Sequence, residues 1–259
     1  MLRAMQLIPQ SPDARAYLAA DEVIDHDHPL VRETADALWT ATGDAYSYVK
    51  VAFEFVRDTI PHSADSGDLR VSWRASDVLR TRNGICFAKS HALVALLRAR
   101  GIPAGLCYQR LTEDDGSNPV VHGLIALRLP GAADWARQDP RGNKPGVDAR
   151  FALDAERLAF PVRPELGEVD YPELYAAAHP AALGALQGSA DRPELWRNLP
   201  TEMGSARTNG PAVNGGAAGS PDLVVRDQPA SLTWAAVGAV PPRCAGTHQV
   251  SSGPLGLPG

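Results

Sequence analysis

Apolar positions recur along this chain with two different periods, and the change between them divides it. Residues 30–40, LVRETADALWT, place Leu30, Val31, Ala35, Leu38 and Trp39 near one face of a helix. Residues 44–58, DAYSYVKVAFEFVRD, carry a tighter stripe of Tyr48, Val49, Ala52, Phe53 and Val56, with Asp44 placed to cap. Residues 60–74 read as a loop. Ser76 then stands as the cap of a short helix, SDVLRT, that ends before Asn83-Gly84. From 86 to 100 the apolar groups run almost all round, as in a central, buried helix. Gly101 follows as the left-handed terminator and Pro103 as the stop.

From residue 104 the period shortens to two. AGLCYQRL reads as a strand, residues 113–119 as a turn-rich link, and VVHGLIALRL, 120–129, as a strong strand. Its Val121, Gly123, Ile125, Leu127 and Leu129 share one face, with His122, Leu124 and Ala126 on the other. A turn at Pro130-Gly131 leads to a short third strand, 133–139, stopped by Pro140. Helices first and then three closely linked strands predict an α+β fold with an antiparallel meander. Residues 147–187 are punctuated by proline and predict short helices at best, packed through Phe151, Leu153, Leu158, Phe160, Tyr171 and Tyr175. Residues 193–203 add a last helical turn or two. From Gly204 to Gly259 there are 10 Gly and 7 Pro in 56 residues, with no Lys and two acids. That composition predicts a disordered tail, 204–259, after a single domain, 1–203, whose core spans about 30–160.

Charge narrows the partners. A net charge of -5 without a basic stripe argues against nucleic acid. The first residues lack the apolar region of a signal peptide, and no apolar run approaches the ~20 residues that span a bilayer. A soluble, cytoplasmic protein without membrane contact is the expectation. The three cysteines, Cys86, Cys107 and Cys244, are too sparse and odd in number for a disulfide framework. With no closely spaced cysteine pair, no zinc site is expected from Cys86, Cys107, His91 and His122. Cys107 beside Tyr108 and the helical His91 read as core, and His26 and His28 as solvated. Nothing in the sequence bears on oligomeric state.

Cys86 is different because it opens the buried helix just after Gly84. A helix N-terminus lowers a thiol's pKa, and the backbone N–H there would face an oxyanion formed on an attacked carbonyl. A lone cysteine in that place is also an ordinary core residue. His122, inside the strongest strand, and Asp139, at the end of the next, change the reading. A hairpin centred on 130–132 pairs them directly, with β-carbons ~5 Å apart. Asp139 would then orient the imidazole, and His122 would share the proton of Cys86. Taken singly, His122 reads as a satisfied core histidine and Asp139 as a turn residue; the three together read as a nucleophile, a base and its partner.

The stretches RASDVLRTRNGICFAKSHALVALLRARGIPAGLCYQRL, VVHGLIALRLP and DWARQDPRGN resemble the transglutaminase-like superfamily. The likeness covers roughly 70–150. Gly84-Ile85-Cys86, Gly101-Ile102-Pro103-Ala104, His122-Gly123-Leu124 and Trp135 to Asp139-Pro140 occupy the family's motif places. The resemblance implies a papain-like fold, a central helix packed on an antiparallel sheet behind N-terminal helices. It also implies acyl transfer on a peptide or protein amide through a thioester, with no cofactor. Cys86 would be the nucleophile, His122 base and then acid, and Asp139 its orienting partner. Water would make the protein a peptidase or amidase and an amine a transglutaminase; compact bacterial relatives favour hydrolysis. The alternative is a silent interaction module that keeps the fold. Gly123-Leu124 and Ala88-Lys89 depart from an aromatic after the histidine and an acid after the cysteine in many members, which bears on specificity. The second oxyanion donor is open among His62, Trp73 and Asn83.

Overall fold

The computed structural model describes residues 5–204 of the 259. The expected tail and Cys244 therefore lie outside the described residues. Two amphipathic helices open the core, α1 (Pro29–Thr40) and α2 (Ala45–Thr59). Tyr48, Val49, Ala52, Phe53 and Val56 of α2 are all buried, and the Asp44 carboxylate caps it by accepting the Ser47 N–H. A single turn, α3 (Ser63–Ser66), and α4 (Ala75–Thr81) lead into α5 (Cys86–Ala99). Every α5 residue from Cys86 to Arg98 is buried, as an apolar surface running all round requires.

The end of α5 is built as its sequence predicts. Gly101 has φ +70°, and the N–H groups of Gly101 and Ile102 return to the carbonyls of Arg98 and Leu97. This is a Schellman closure, and glycine takes the left-handed position without a β-carbon penalty. The start of α4 differs from expectation. Arg74, not Ser76, is the capping position, and it supplies no side-chain cap. Ser76 sits inside the helix, where its N–H and hydroxyl both bond the Asp25 carboxylate. The helix ends before Asn83-Gly84 as expected, with Arg82 closing it at φ 51°.

The main sheet has the order β4-β3-β2-β5, antiparallel throughout, from β2 (Ala104–Leu111), β3 (Val120–Leu127), β4 (Ala136–Gln138) and β5 (Val169–Asp170). A parallel pair, β1 (Ile8–Pro9) with β6 (Glu173–Leu174), forms a separate two-stranded sheet. Leu106, Tyr108, Val121, Ile125 and Leu127 join α5 and the N-terminal helices in the main core. Cys107, Leu124 and Ala126 pack with Tyr17 and Leu174 on the other face. Full burial of each such aliphatic or aromatic side chain contributes about 1.5–3 kcal/mol. Two further helices, α6 (Pro180–Gln187) and α7 (Arg192–Asn198), complete the described chain. No helix among the described residues is long and apolar enough to cross a membrane.

One register differs from the hairpin expected from the sequence. Ile125 faces Gln138 and Ala126 faces Arg137. Continued outward, that ladder sets Asp139 opposite Leu124 and not opposite His122. The connection, residues 128–135, is longer than a tight turn centred on 130–132 allows. The slip is two residues, so the side chains keep their face, and His122 meets Asp139 on the diagonal.

Candidate active site

Cys86 is the first residue of α5, after an extended Ile85. What brings it to the sheet is the missing side chain of Gly123. A β-carbon there would lie 2.5 Å from Cδ1 of Phe87, so only glycine lets the first turn of α5 lie directly on β3. The Gly123 N–H then donates to the Cys86 sulfur at 3.5 Å. Behind the cysteine, residue 62 bridges Gly84 in parallel, with Ser63 N–H on the Gly84 carbonyl. A β-carbon on Gly84 would meet that of Ala88 at 2.9 Å.

His122 Nε2 lies 2.8 Å from Asp139 Oδ2, both side chains almost wholly buried. The carboxylate also accepts the Arg141 N–H on Oδ1 and the Ala159 N–H on Oδ2, each at 3.1 Å. Burial works to raise its pKa, but the His122 ring and those two N–H groups outweigh it and hold Asp139 low. For His122 burial works downward. The charges of Asp139 and Cys86 and the hydrogen bonds to both overcome it and hold the imidazole above its ordinary value. With Nε2 committed to Asp139, Nδ1 is the ring nitrogen left to the sulfur. The Phe160 ring stands edge-on to the imidazole, centroids 5.2 Å apart.

The three oxyanion candidates fare differently in geometry. His62 is buried, and its Nδ1 accepts the Ala64 N–H at 3.3 Å as the cap of α3. Burial, then Arg141, push its pKa well below the ordinary 6.5. The Trp73 carbonyl is bonded by His91 Nδ1 at 2.8 Å, and the Arg74 guanidinium lies 4.4 Å over its ring. Asn83 is buried, with its amide N–H given to the Arg70 carbonyl at 2.9 Å. Its Oδ1, without a partner among the described residues, is an acceptor and offers an oxyanion nothing. Cys107 is fully buried in the second cluster, and burial pushes its thiol up to about 12. Among the described residues no group of three or more His, Cys, Asp or Glu side chains is placed to hold a metal ion.

Several neighbours of the site were not given a place in it by the sequence. Lys89 is wholly buried, and burial followed by the Arg141 charge pulls its ammonium down to about 7. Arg141 pairs with Asp65 of α3. Ala159 and Phe160 come from the proline-rich segment. A lysine inside an otherwise apolar helix was the one legible signal among these, since such a residue must find partners indoors.

Residues 32–140 match the family model described as the transglutaminase-like superfamily. Its members are often cysteine peptidases and transglutaminases. Among solved structures, a candidate cysteine protease from Cytophaga hutchinsonii is 20% identical, with 53% of this chain and 46% of that chain covered and a TM-score of 0.39. The periplasmic domain of TgpA from Pseudomonas aeruginosa, bound to ethylmercury, is 24% identical, with 50% of each chain covered and a TM-score of 0.38. This chain thus spans about half the length of the structures it resembles. A comparison with curated proteins finds no match. The matched region holds a mixed helix-and-sheet arrangement in which a buried helix lies on an antiparallel sheet.

Proposed function

We propose that this protein carries out cysteine-dependent acyl transfer on a peptide or protein amide, with water as the ordinary acceptor. The observation that carries the reading is the buried His122–Asp139 pair at 2.8 Å, set beside a sulfur at the head of α5. A histidine held above its ordinary pKa beside a thiol is a base able to take the thiol's proton as it attacks. The thiolate adds to the amide carbonyl carbon. The carbon–nitrogen bond then breaks, and the amine departs with the proton carried by His122, leaving a thioester on Cys86. Neutral His122 next takes a proton from water as its oxygen adds to the thioester carbon. The carbon–sulfur bond breaks and His122 returns the proton to the sulfur. An amine resolves the thioester in the same way only where the closed site keeps water out.

The Cys86 N–H is one donor to the oxyanion, and we assign the second to His62. Its Nδ1 accepts a backbone N–H and the ring is neutral, so the proton sits on Nε2. That makes Nε2–H a fixed donor. Asn83 already gives one of its two amide hydrogens to the Arg70 carbonyl. A panel of acyl-ester and peptide-amide probes, with and without a primary amine, tests the reading by mass spectrometry. An acyl adduct on Cys86 that water clears is expected. An adduct cleared only by amine moves the assignment to cross-linking, and no adduct on Cys86 removes it.

A further inference from the structure

Lys89 stands one turn beyond Cys86 on α5, and among the described residues each of its Nζ bonds runs to a backbone carbonyl. Ile60 accepts at 2.5 Å, Arg141 at 2.9 Å and Arg57 at 3.2 Å. An ammonium has three hydrogens, and all three are used. A neutral amine would leave one of these carbonyls unserved, so the three bonds work against the burial that pulls the ammonium down. Two neighbours are shaped for it. The carbonyl of Arg57 would ordinarily accept the N–H four residues on, but that residue is Pro61, which has none. The lysine supplies the missing donor at the negative end of α2. Gly142 has φ +108°, and a β-carbon there would press within 3.3 Å of both Lys89 Nζ and the Arg57 carbonyl.

The geometry points to Lys89 as a positioning residue of the site, a group that ties the segments bearing Cys86, His62 and Asp139 into one frame. It rides on the helix of Cys86. Ile60 lies two residues before His62, and Arg141 two residues after Asp139. The Arg141 N–H holds the Asp139 carboxylate while its carbonyl is held by Lys89. The Arg141 side chain carries the tie on to Asp65 in α3, the turn that His62 caps. Lys89 touches no reacting atom; it acts by fixing where Asp139 stands, and through Asp139 the charge on His122.

This inference rests on the acyl-transfer reading, and one set of measurements separates the two. The rate of Cys86 alkylation by iodoacetamide is followed against pH in the full chain and in K89M, D139N and the double variant, with melting temperature alongside. In the parent chain Cys86 should label fast at pH 6. In K89M the rate there should fall about 10-fold or more, as small misplacements in such sites do. The midpoint of the profile should move up toward the ~8.5 of an ordinary thiol. K89M added to D139N should shift the profile no further, because both act through one carboxylate. If K89M does not hold the fold, K89Q, whose amide keeps two donors, is read in the same way. A lysine variant that melts earlier but keeps the parent profile overturns the positioning role. A parent chain whose Cys86 labels no faster than an ordinary thiol overturns the acyl-transfer reading itself, whatever Lys89 does.

Discussion

The backbone N–H of Gly123 points at the sulfur of Cys86 from 3.5 Å, and the reason it can do so is that residue 123 has no side chain. Its position next to His122 means that one residue's absence of bulk sets the distance between helix and strand at the place where the proposed chemistry occurs. G123A should therefore cost about 1–3 kcal/mol, the usual range for overfilling a close-packed contact. It should also slow Cys86 alkylation as the Phe87 turn backs away. Thermal unfolding and labelling of one preparation check both; an unchanged melting temperature would mean that the turn yields without cost.

Asp139 is the acceptor of three hydrogen bonds, from His122, Arg141 and Ala159, with almost no exposure. D139N turns one of its oxygens into a donor facing donors. Removing one partner from a buried pair costs about 3–5 kcal/mol, and denaturant unfolding should register a loss of that order. A loss within error of zero would show that the pair is not held as described.

The same pair makes a prediction about pH. His122 is held above its ordinary 6.5 and Asp139 below its ordinary 3.8. The histidine's contribution is complete below pH 6.5 and is lost as pH rises through its raised value. The aspartate's is complete above pH 3.8 and is lost as pH falls through its lowered value. The stability gap between the parent chain and H122Q should thus be widest between about pH 4 and 6.5 and should narrow toward alkaline pH. A gap that widened with rising pH would carry the wrong sign.

For His62 the expectation is kinetic. H62A should lower kcat about 10²–10³-fold, as loss of one oxyanion donor does elsewhere, while H62Q, which keeps an N–H, should recover part of it. Because His62 is already neutral, neither variant should move the pH midpoint of kcat. A shifted midpoint would make His62 a proton carrier instead.

Much of this was legible from periodicity alone. The α2 stripe, the apolar α5 with its Gly101 closure, and β2 and β3 follow from where bulky side chains must go, and the superfamily resemblance rests on motifs at those elements' ends. The β3–β4 register was not, because eight intervening residues leave the turn free and only the pairing of Ile125 with Gln138 fixes it. The start of α4 was misread, and three histidine caps went unread, for a different reason. His28, His62 and His179 each cap a helix through Nδ1, work that serine, threonine, aspartate and asparagine usually do. Ser76 meanwhile was drawn into the helix by Asp25, 51 residues away in sequence. Lys89 stood in plain view, but its partners are carbonyls, which every residue has and no pattern reveals.

The central claim is that one sulfur, Cys86, is made reactive by His122 and Asp139, while a second buried sulfur, Cys107, is not. Treating the full chain with iodoacetamide at pH 6 and mapping the label by peptide mass spectrometry tests it most directly, since an ordinary thiol of pKa ~8.5 is almost wholly protonated there. Selective labelling of Cys86, abolished in C86A and strongly slowed in H122A, is the predicted result. Labelling of Cys86 no faster than Cys107, or a rate indifferent to His122, would contradict it.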